Sequence, residues 1–281
     1  MQLKDFQEMI NQTIFCVSSK KNEAGKEIFG VYMEKNKGKL VIAATDEKKL
    51  GFSSRFIGDD FPDFQGLFLP AGVLRKISRR KRNDETLSIS ITGTEFEPSG
   101  RPENSDKKVN FHIGSACIPS KIISKEYFHL FSAEDIAKLF PCIVPVKVMG
   151  QFFQSYRDTE KFNQRLPLSF TVDRTALVNS LKIVSVIMEP WRLFTVELDI
   201  TPGNLALHTG DSEATADDEI PCDYSGDKRP LRLYAKYFTE IVEQIKTERV
   251  KIMFNKGKNT IAVLPVPEQD IYYFLNQVIG G

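Results

Sequence analysis

The sequence predicts an α+β fold made of two tandem modules, each with two helices packed on antiparallel sheets. The main observation is internal similarity: residues 38–46, GKLVIAATD, resemble residues 203–211, GNLALHTGD, which begin 165 positions later. In both copies a turn glycine leads into an alternating apolar strand. Similarity of this kind, repeated in order along the chain, indicates a duplicated architecture.

The helix before this strand is amphipathic in both copies. In the first copy its apolar face consists of Leu3, Phe6, Met9, Ile10 and Phe15. In the second copy the helix follows the predicted N-cap Asp173, and its apolar face consists of Leu177, Val178, Leu181, Val184 and Val186. This spacing is typical of a helix with one buried side.

A strand that runs into a second helix follows in each copy. The apolar positions of this unit are Leu67, Leu69, Leu74 and Ile77 in the first copy and Leu231, Leu233, Phe238 and Ile241 in the second. A further alternating strand has the apolar residues Leu87, Ile89 and Ile91 in the first copy. The corresponding residues in the second copy are Val250, Ile252 and Phe254. Period-two alternation predicts antiparallel sheets with one face under the helices and the other facing outward. The alternative is two unrelated α+β domains with similar strands.

The stretch from about residue 124 to residue 167 is less regular and is predicted to link the copies. Prolines at 141, 145 and 167 interrupt it, and residues 132–135, SAED, form a capping box for a short helix. We therefore predict one domain over residues 1–150 and a second over residues 151–281.

Composition limits the function classes. The chain has 281 residues, 38 Lys and Arg against 37 Asp and Glu, and 41% hydrophobic residues, which argues against a protein that coats nucleic acid with its whole surface. No window predicts a membrane span or a signal peptide, so a soluble cytoplasmic protein is expected. The widely spaced Cys16, Cys117, Cys142 and Cys222 are interpreted as buried, reduced packing residues.

One strongly basic run, residues 75–82 (RKISRRKR), contrasts with this balance. On a helix that starts near Pro70, Val73, Leu74 and Ile77 would face the sheet, and Arg75, Arg79 and Arg82 would form an exposed ridge. Like charges at this spacing repel, which a bound polyanion would relieve. Contacts to phosphates alone would be sequence-independent and salt-dependent. The alternative is a solvated surface helix.

Residues for catalysis are not recognisable in the sequence. It has no P-loop, GxGxxG, GxSxG or HExxH motif, and its three histidines, His112, His129 and His208, are scattered. The acidic residues between Asp211 and Glu219 lack the spacing of an EF-hand and fit a solvated strand edge better than a metal site. We predict a binding protein without cofactor or metal, rather than an enzyme.

Several segments resemble a known family. They are 40–50 (LVIAATDEKKL), 120–123 (SKII), 172–174 (VDR), 203–205 (GNL), 224–227 (YSGD), 233–238 (LYAKYF) and the final strand 271–275 (IYYFL). In this order they are similar to the middle and C-terminal domains of the bacterial DNA polymerase III β subunit, the β sliding clamp. The resemblance covers most of the chain but omits the first of the family's usual three domains.

The resemblance implies a processivity factor of DNA replication, a ring of DNA-clamp-type domains whose helices face duplex DNA. The DNA-facing residues it implies are Lys20, Lys21, Lys26, Arg75, Lys76, Arg79, Arg80, Arg82, Arg174 and Lys182. It also implies a peptide-binding pocket for DNA polymerase III, the clamp loader and other proteins with a clamp-binding motif. The pocket residues are Ile28, Thr45, Lys48, Lys49, Leu50, Phe128, Tyr273 and Leu275. For Ile28, Leu50 and Leu275, ordinary packing is the alternative.

Three functional hypotheses remain open at this stage. The chain is a sliding clamp, either as a two-domain protein that closes a homo-oligomeric ring or as a fragment of a longer clamp. Alternatively, it is a clamp-like interaction protein that binds polymerase peptides without encircling DNA. The third hypothesis is a hydrolase without recognisable motifs.

Overall fold

The computed structural model describes residues 1–17, 30–36, 38–46, 48–58, 64–81, 84–92, 108–122, 164–187, 194–210, 213–256 and 259–278. The chain divides into two compact units, residues 1–135 and 136–281, which we call unit 1 and unit 2. The domain boundary predicted between residues 150 and 151 lies outside the described residues, as does the capping box at 132–135.

Unit 1 contains two helices and seven strands within the described residues. They are α1 (Leu3–Thr13), β1 (Gly30–Asn36), β2 (Lys39–Thr45), β3 (Lys49–Phe56), β4 (Phe64–Pro70), α2 (Ala71–Ser78), β5 (Leu87–Thr92), β6 (Lys108–Ile113) and β7 (Ala116–Lys121). The strands form antiparallel sheets in the orders β4-β1-β2-β3 and β5-β6-β7. Residues of α1 and α2 contact each other, and α1 packs on β2 and β3.

Unit 2 repeats this arrangement. Its elements are β8 (Leu168–Asp173), α3 (Arg174–Val184), β9 (Thr195–Thr201), β10 (Asn204–Gly210), β11 (Thr215–Asp223), β12 (Arg229–Tyr234), α4 (Ala235–Gln244), β13 (Arg249–Phe254), β14 (Thr260–Val266) and β15 (Ile271–Asn276). The strand order β12-β9-β10-β11 matches β4-β1-β2-β3, and β13-β14-β15 matches β5-β6-β7. Strand β8 joins the two groups by pairing with β11 and β13.

Individual backbone contacts also recur. The backbone N–H of Leu3, the first residue of α1, donates to the carbonyl of Glu85 at 2.8 Å, and that of Arg174, the first residue of α3, donates to Glu248 at 2.8 Å. The turn glycines Gly38 and Gly203 have φ values of 74° and 79°, a left-handed conformation that glycine adopts without strain. The predicted duplication is therefore confirmed, and the alternative of two unrelated domains is wrong.

The buried side chains of α1 and α3 are those of the predicted apolar faces, except at the ends of the helices. Leu3, Phe6, Met9 and Ile10 are fully buried, as are Leu177, Leu181 and Val184. Helix α3 ends at Val184, so the turn beyond it carries Val186 out of the predicted apolar face, and that side chain is 81% exposed. Phe15 likewise lies beyond the last residue of α1, in a short 3-10 turn.

The outward sheet faces differ between the units. In unit 2 an outward-facing row across three neighbouring strands is polar and consists of Arg232, Glu197 and His208. The guanidinium of Arg232 lies 3.4 Å from the Glu197 carboxylate, and the His208 ring lies 2.6 Å from the Asp217 carboxylate. In unit 1 the corresponding row is Phe68, Tyr32 and Ala43. These three side chains are at most 5% exposed. The expectation of an outward-facing sheet surface is therefore wrong for unit 1, where apolar residues occupy both faces.

Two smaller sequence predictions also have structural outcomes. Cys16 and Cys222 are buried, but Cys117 is exposed because it lies on the outward side of the alternating strand β7; Cys142 is outside the described residues. None of the helices that the structure describes is both long and apolar enough to cross a bilayer.

The predicted cap of α3 is present and gives a first testable prediction. The Asp173 carboxylate accepts a hydrogen bond from the Ala176 backbone N–H at 2.7 Å. We expect Asp173→Ala to lower the free energy of unfolding by about 1 kcal/mol, because the helix loses its N-cap. Urea unfolding would measure it, with Asp84→Ala as the control, since Asp84 is exposed and lies outside any helix. An equal loss in both variants would contradict the capping role.

Candidate nucleic-acid interface

Helix α2 positions the basic run that the sequence singled out. It begins directly after β4, with Pro70 as its N-cap residue, and buries Ala71, Leu74 and Ile77. Val73, predicted to face the sheet, is only half-buried. The helix ends at Ser78, with Arg79 as its C-cap residue. The predicted ridge therefore does not continue as helix beyond Ser78, and Arg82 lies outside the described residues.

We call Arg75, Lys76, Arg79, Arg80 and Lys81 the basic cluster. Lys76, Arg79 and Lys81 are exposed, and Arg75 and Arg80 are half-buried. Arg80 lies 3.8 Å from the Glu85 carboxylate. In the part of the chain that the structure describes, the other four side chains of the cluster have no ion-pair partner. With respect to the described residues, the cluster therefore carries four cations without an ion-pair partner, of which Lys76, Arg79 and Lys81 are exposed.

The C-terminal end of α2 is held by a side chain from α1. The amide Nε2 of Gln7 donates hydrogen bonds to the backbone carbonyls of Ile77 and Arg80, both at 3.0 Å. Gln7 is 7% exposed, and the Ile77 carbonyl that it caps also accepts from the Arg80 backbone N–H at 3.1 Å. This capping fixes the backbone that carries the exposed cations.

The acidic residues of α1 are paired on the side of the helix that packs on β3. Arg55 of β3 binds the Asp5 carboxylate through one terminal nitrogen and the Glu8 carboxylate, at 2.9 Å, through the other. Gln7, one residue from Glu8, instead faces α2. The single positive charge of Arg55 thus offsets one of the two negative charges, and both carboxylates are held on the β3 side of α1.

The predicted DNA-facing residues of unit 2 are engaged within their own helix pair. The Arg174 guanidinium donates to the backbone carbonyls of Val242 and Glu243 in the last turn of α4, both at 3.2 Å. Lys182 lies 3.6 Å from the Glu243 carboxylate. Of the remaining predicted residues, Lys20, Lys21 and Lys26 lie outside the described residues. Arg174 therefore performs in unit 2 the helix-end capping that Gln7 performs in unit 1.

The predicted pocket residues of unit 1 lie in the turn between β2 and β3. The Thr45 hydroxyl donates to the Lys49 carbonyl at 2.7 Å, and the Asp46 carboxylate accepts from the backbone N–H groups of Lys48 and Lys49 at 3.1 and 2.9 Å. The Lys49 ammonium lies 3.7 Å from Asp46 and 5.2 Å from the centre of the Phe15 ring. Thr45, Lys49 and Leu50 are buried, and Lys48 is exposed.

In unit 2 the predicted pocket residues Tyr273 and Leu275 lie on β15, and both are fully buried. Burial of Leu50 and Leu275 favours the packing alternative for these two side chains. Ile28 and Phe128 lie outside the described residues. The pocket as a whole stays a prediction.

Two residues that organise the interface were missed by the sequence analysis. Gln7 sits on the mostly apolar buried face of α1, and a polar residue between Phe6 and Met9 is the signal that could have found it. Arg55 is separated from Asp5 by 50 residues, so no local pattern indicated the pair. Among the described residues no group of three His, Cys, Asp or Glu side chains is placed to hold a metal ion.

The repeated units, each with two helices against antiparallel sheets, define a protein of the DNA-clamp type. Family models of the DNA polymerase III beta subunit match the chain over residues 1–128, for the central domain, and 166–278, for the C-terminal domain. The chain belongs to this family.

Individual relatives agree with this assignment. The beta sliding clamp of Treponema pallidum is 24% identical over 276 residues, which cover 96% of this chain and 62% of that protein. A DNA polymerase sliding clamp from Pseudomonas aeruginosa superposes with a TM-score of 0.76 at 15% identity, covering 100% of this chain and 66% of that one. The Caulobacter crescentus clamp gives 0.72 at 18% identity, covering 100% and 64%. The chain thus spans less than two thirds of the length of these relatives.

Proposed function

We propose that the chain acts in DNA replication as a sliding clamp, or as the central and C-terminal part of one. In this role it forms part of a ring around duplex DNA and tethers DNA polymerase III and other partner proteins. It performs no catalysis itself. The observation that carries the proposal is the match of two successive β-subunit domains along one chain, in the order central then C-terminal.

The electrostatics of unit 1 support the DNA-binding part. The basic cluster lies at the end of α2, and among the described residues a carboxylate pairs only with its Arg80, which suits contacts to a phosphate backbone. Contacts to phosphates carry no sequence information, so they allow a protein to move along DNA. A ring that is closed around DNA needs only weak contacts of this kind.

For the tethering part, the support is family membership. In the described part of the turn between β2 and β3, the Asp46 carboxylate accepts from the backbone N–H groups of Lys48 and Lys49, and the Lys48 side chain is exposed. The finer assignments, which are the clamp loader as a partner, a homo-oligomeric ring and a cytoplasmic location, belong to the same proposal.

Retention on circular DNA tests the proposal. We expect the full chain to stay with a nicked circular plasmid during gel filtration at a salt concentration that abolishes its binding to short linear duplex. Cutting the plasmid once should release it, because a ring slides off a free end. Retention that survives linearisation would contradict encirclement by this chain. No retention on the circle would mean that the chain alone does not close a ring, which fits either part of a longer clamp or the clamp-like interaction protein that binds partner peptides without encircling DNA.

A further inference from the structure

The second helices of the two units carry opposite charges at equivalent positions. Helix α2 begins directly after β4, and α4 begins directly after β12, the strand that matches β4 in the sheet order; their first residues are Ala71 and Ala235. Counting from these residues, Lys76 corresponds to Glu240 and Arg79 to Glu243. The buried pair Leu74 and Ile77 corresponds to Phe238 and Ile241, which supports the same alignment. Two cations in unit 1 are therefore replaced by two carboxylates in unit 2.

The first helices strengthen this contrast. In unit 1 the carboxylates of Asp5 and Glu8 on α1 pair with Arg55 of β3 rather than with the basic cluster. In unit 2 the exposed Lys182 of α3 is offset by Glu243. The other cation of α3, Arg174, is occupied by the carbonyl groups at the end of α4. Helix α4 also carries the exposed Lys236, so three cations of the unit 2 helix pair, Arg174, Lys182 and Lys236, stand against two carboxylates, Glu240 and Glu243. In unit 1, among the described residues, one of the five cations of the basic cluster is ion-paired, so the unit 1 helix pair is the more positive.

We infer that the phosphate contacts of this chain are made by unit 1, through Lys76, Arg79 and their neighbours in the basic cluster, and that the helix pair of unit 2 contributes almost none. This inference rests on the proposed function, since duplex DNA is the polyanion it assigns. Arg174 is then a positioning residue of α4. Lys182 is a compensated surface cation.

The salt dependence of binding separates the two units. The observed association constant for a short linear duplex falls with salt concentration, and the slope of its logarithm against the logarithm of salt is about −0.9 per phosphate neutralised. In the double variant of the full chain, Lys76→Gln with Arg79→Gln, we expect the magnitude of this slope to decrease by about 2. Each single variant should lose about half as much.

The matched control is Lys182→Gln, which removes a cation of similar exposure from unit 2. We expect it to leave the slope and the affinity unchanged. An unchanged melting temperature in all variants verifies that the fold is intact, and the single variants serve if the double variant is destabilised.

Three results would overturn the inference: no duplex binding by the unmodified chain at low salt, an unchanged slope in the unit 1 variants, or an equal loss in Lys182→Gln. Binding to linear duplex does not require a closed ring. The assay can therefore support the unit 1 assignment even if retention on circular DNA fails, and the two failures are distinguishable.

Discussion

Phe6→Ala is expected to lower the free energy of unfolding of unit 1 by about 3 to 5 kcal/mol. The Phe6 side chain on α1 is fully buried, and its ring lies 5.8 Å from that of Phe111 on β6. Truncation removes the transfer free energy of the ring and leaves a cavity between α1 and the β5-β6-β7 sheet, which a fixed backbone refills poorly.

The same truncation at an exposed position provides the control. Phe56, the last residue of β3, is 64% exposed, so Phe56→Ala removes the same atoms with little burial to lose. We expect its effect on the free energy of unfolding to stay within about 0.5 kcal/mol. Urea unfolding followed by circular dichroism measures both variants. Similar losses in the two would contradict the position of Phe6 in the core.

The duplicated fold was predictable because its signals are local and occur twice. The turn glycine directly before β2 recurs directly before β10, and apolar residues recur at helical spacing in α1 and α3. Each signal depends on backbone conformation or on one buried face, and both are properties of a short segment. This is why the fold class and the order of elements could be predicted from the sequence.

Structural features that depend on residues far apart in the chain were harder to predict from the sequence. The basic run contains no glycine or proline, so nothing in it marked the end of α2 at Ser78. The capping of that helix end comes from Gln7, about 70 positions earlier. The family resemblance implied Arg174 as a DNA contact, and its partners in α4 are 68 and 69 positions away.

The sequence of β2 does indicate that the outward-facing row of unit 1, which consists of Phe68, Tyr32 and Ala43, is buried. Residues 40–44, LVIAA, are continuously apolar, whereas a strand with one solvated face alternates. The unit 2 counterpart, 205–209, LALHT, includes a histidine at the outward position. A continuous apolar run therefore indicated that both faces of β2 are covered, as the burial of Val41 and Ala43 shows.

Within this row, Tyr32 makes the stability of unit 1 sensitive to alkaline pH. Its hydroxyl donates a hydrogen bond to the carboxylate of Glu34, which is itself 2% exposed. Burial, followed by the negative charge of Glu34 and this hydrogen bond, raises the pKa of Tyr32 far above its ordinary value of 10.0. In the folded chain Tyr32 therefore keeps its proton at a pH where the unfolded chain releases it.

The sign of the pH dependence follows from this difference. The contribution of Tyr32 is fully present below pH 10 and is lost as the pH rises above that value, because proton release then favours the unfolded state. We expect the loss to approach about 1.4 kcal/mol per pH unit. Urea unfolding at a series of pH values above about 9 measures it.

Two variants separate the causes. Tyr32→Phe should remove this alkaline loss, although the free energy of unfolding at neutral pH falls by about 1 to 3 kcal/mol because the Glu34 carboxylate loses a donor. Glu34→Gln should keep much of the loss, since burial, the largest cause of the raised pKa, remains. If the unmodified chain and Tyr32→Phe lost stability in parallel above pH 10, Tyr32 would not be the titrating group, and its buried place beside Glu34 would be wrong.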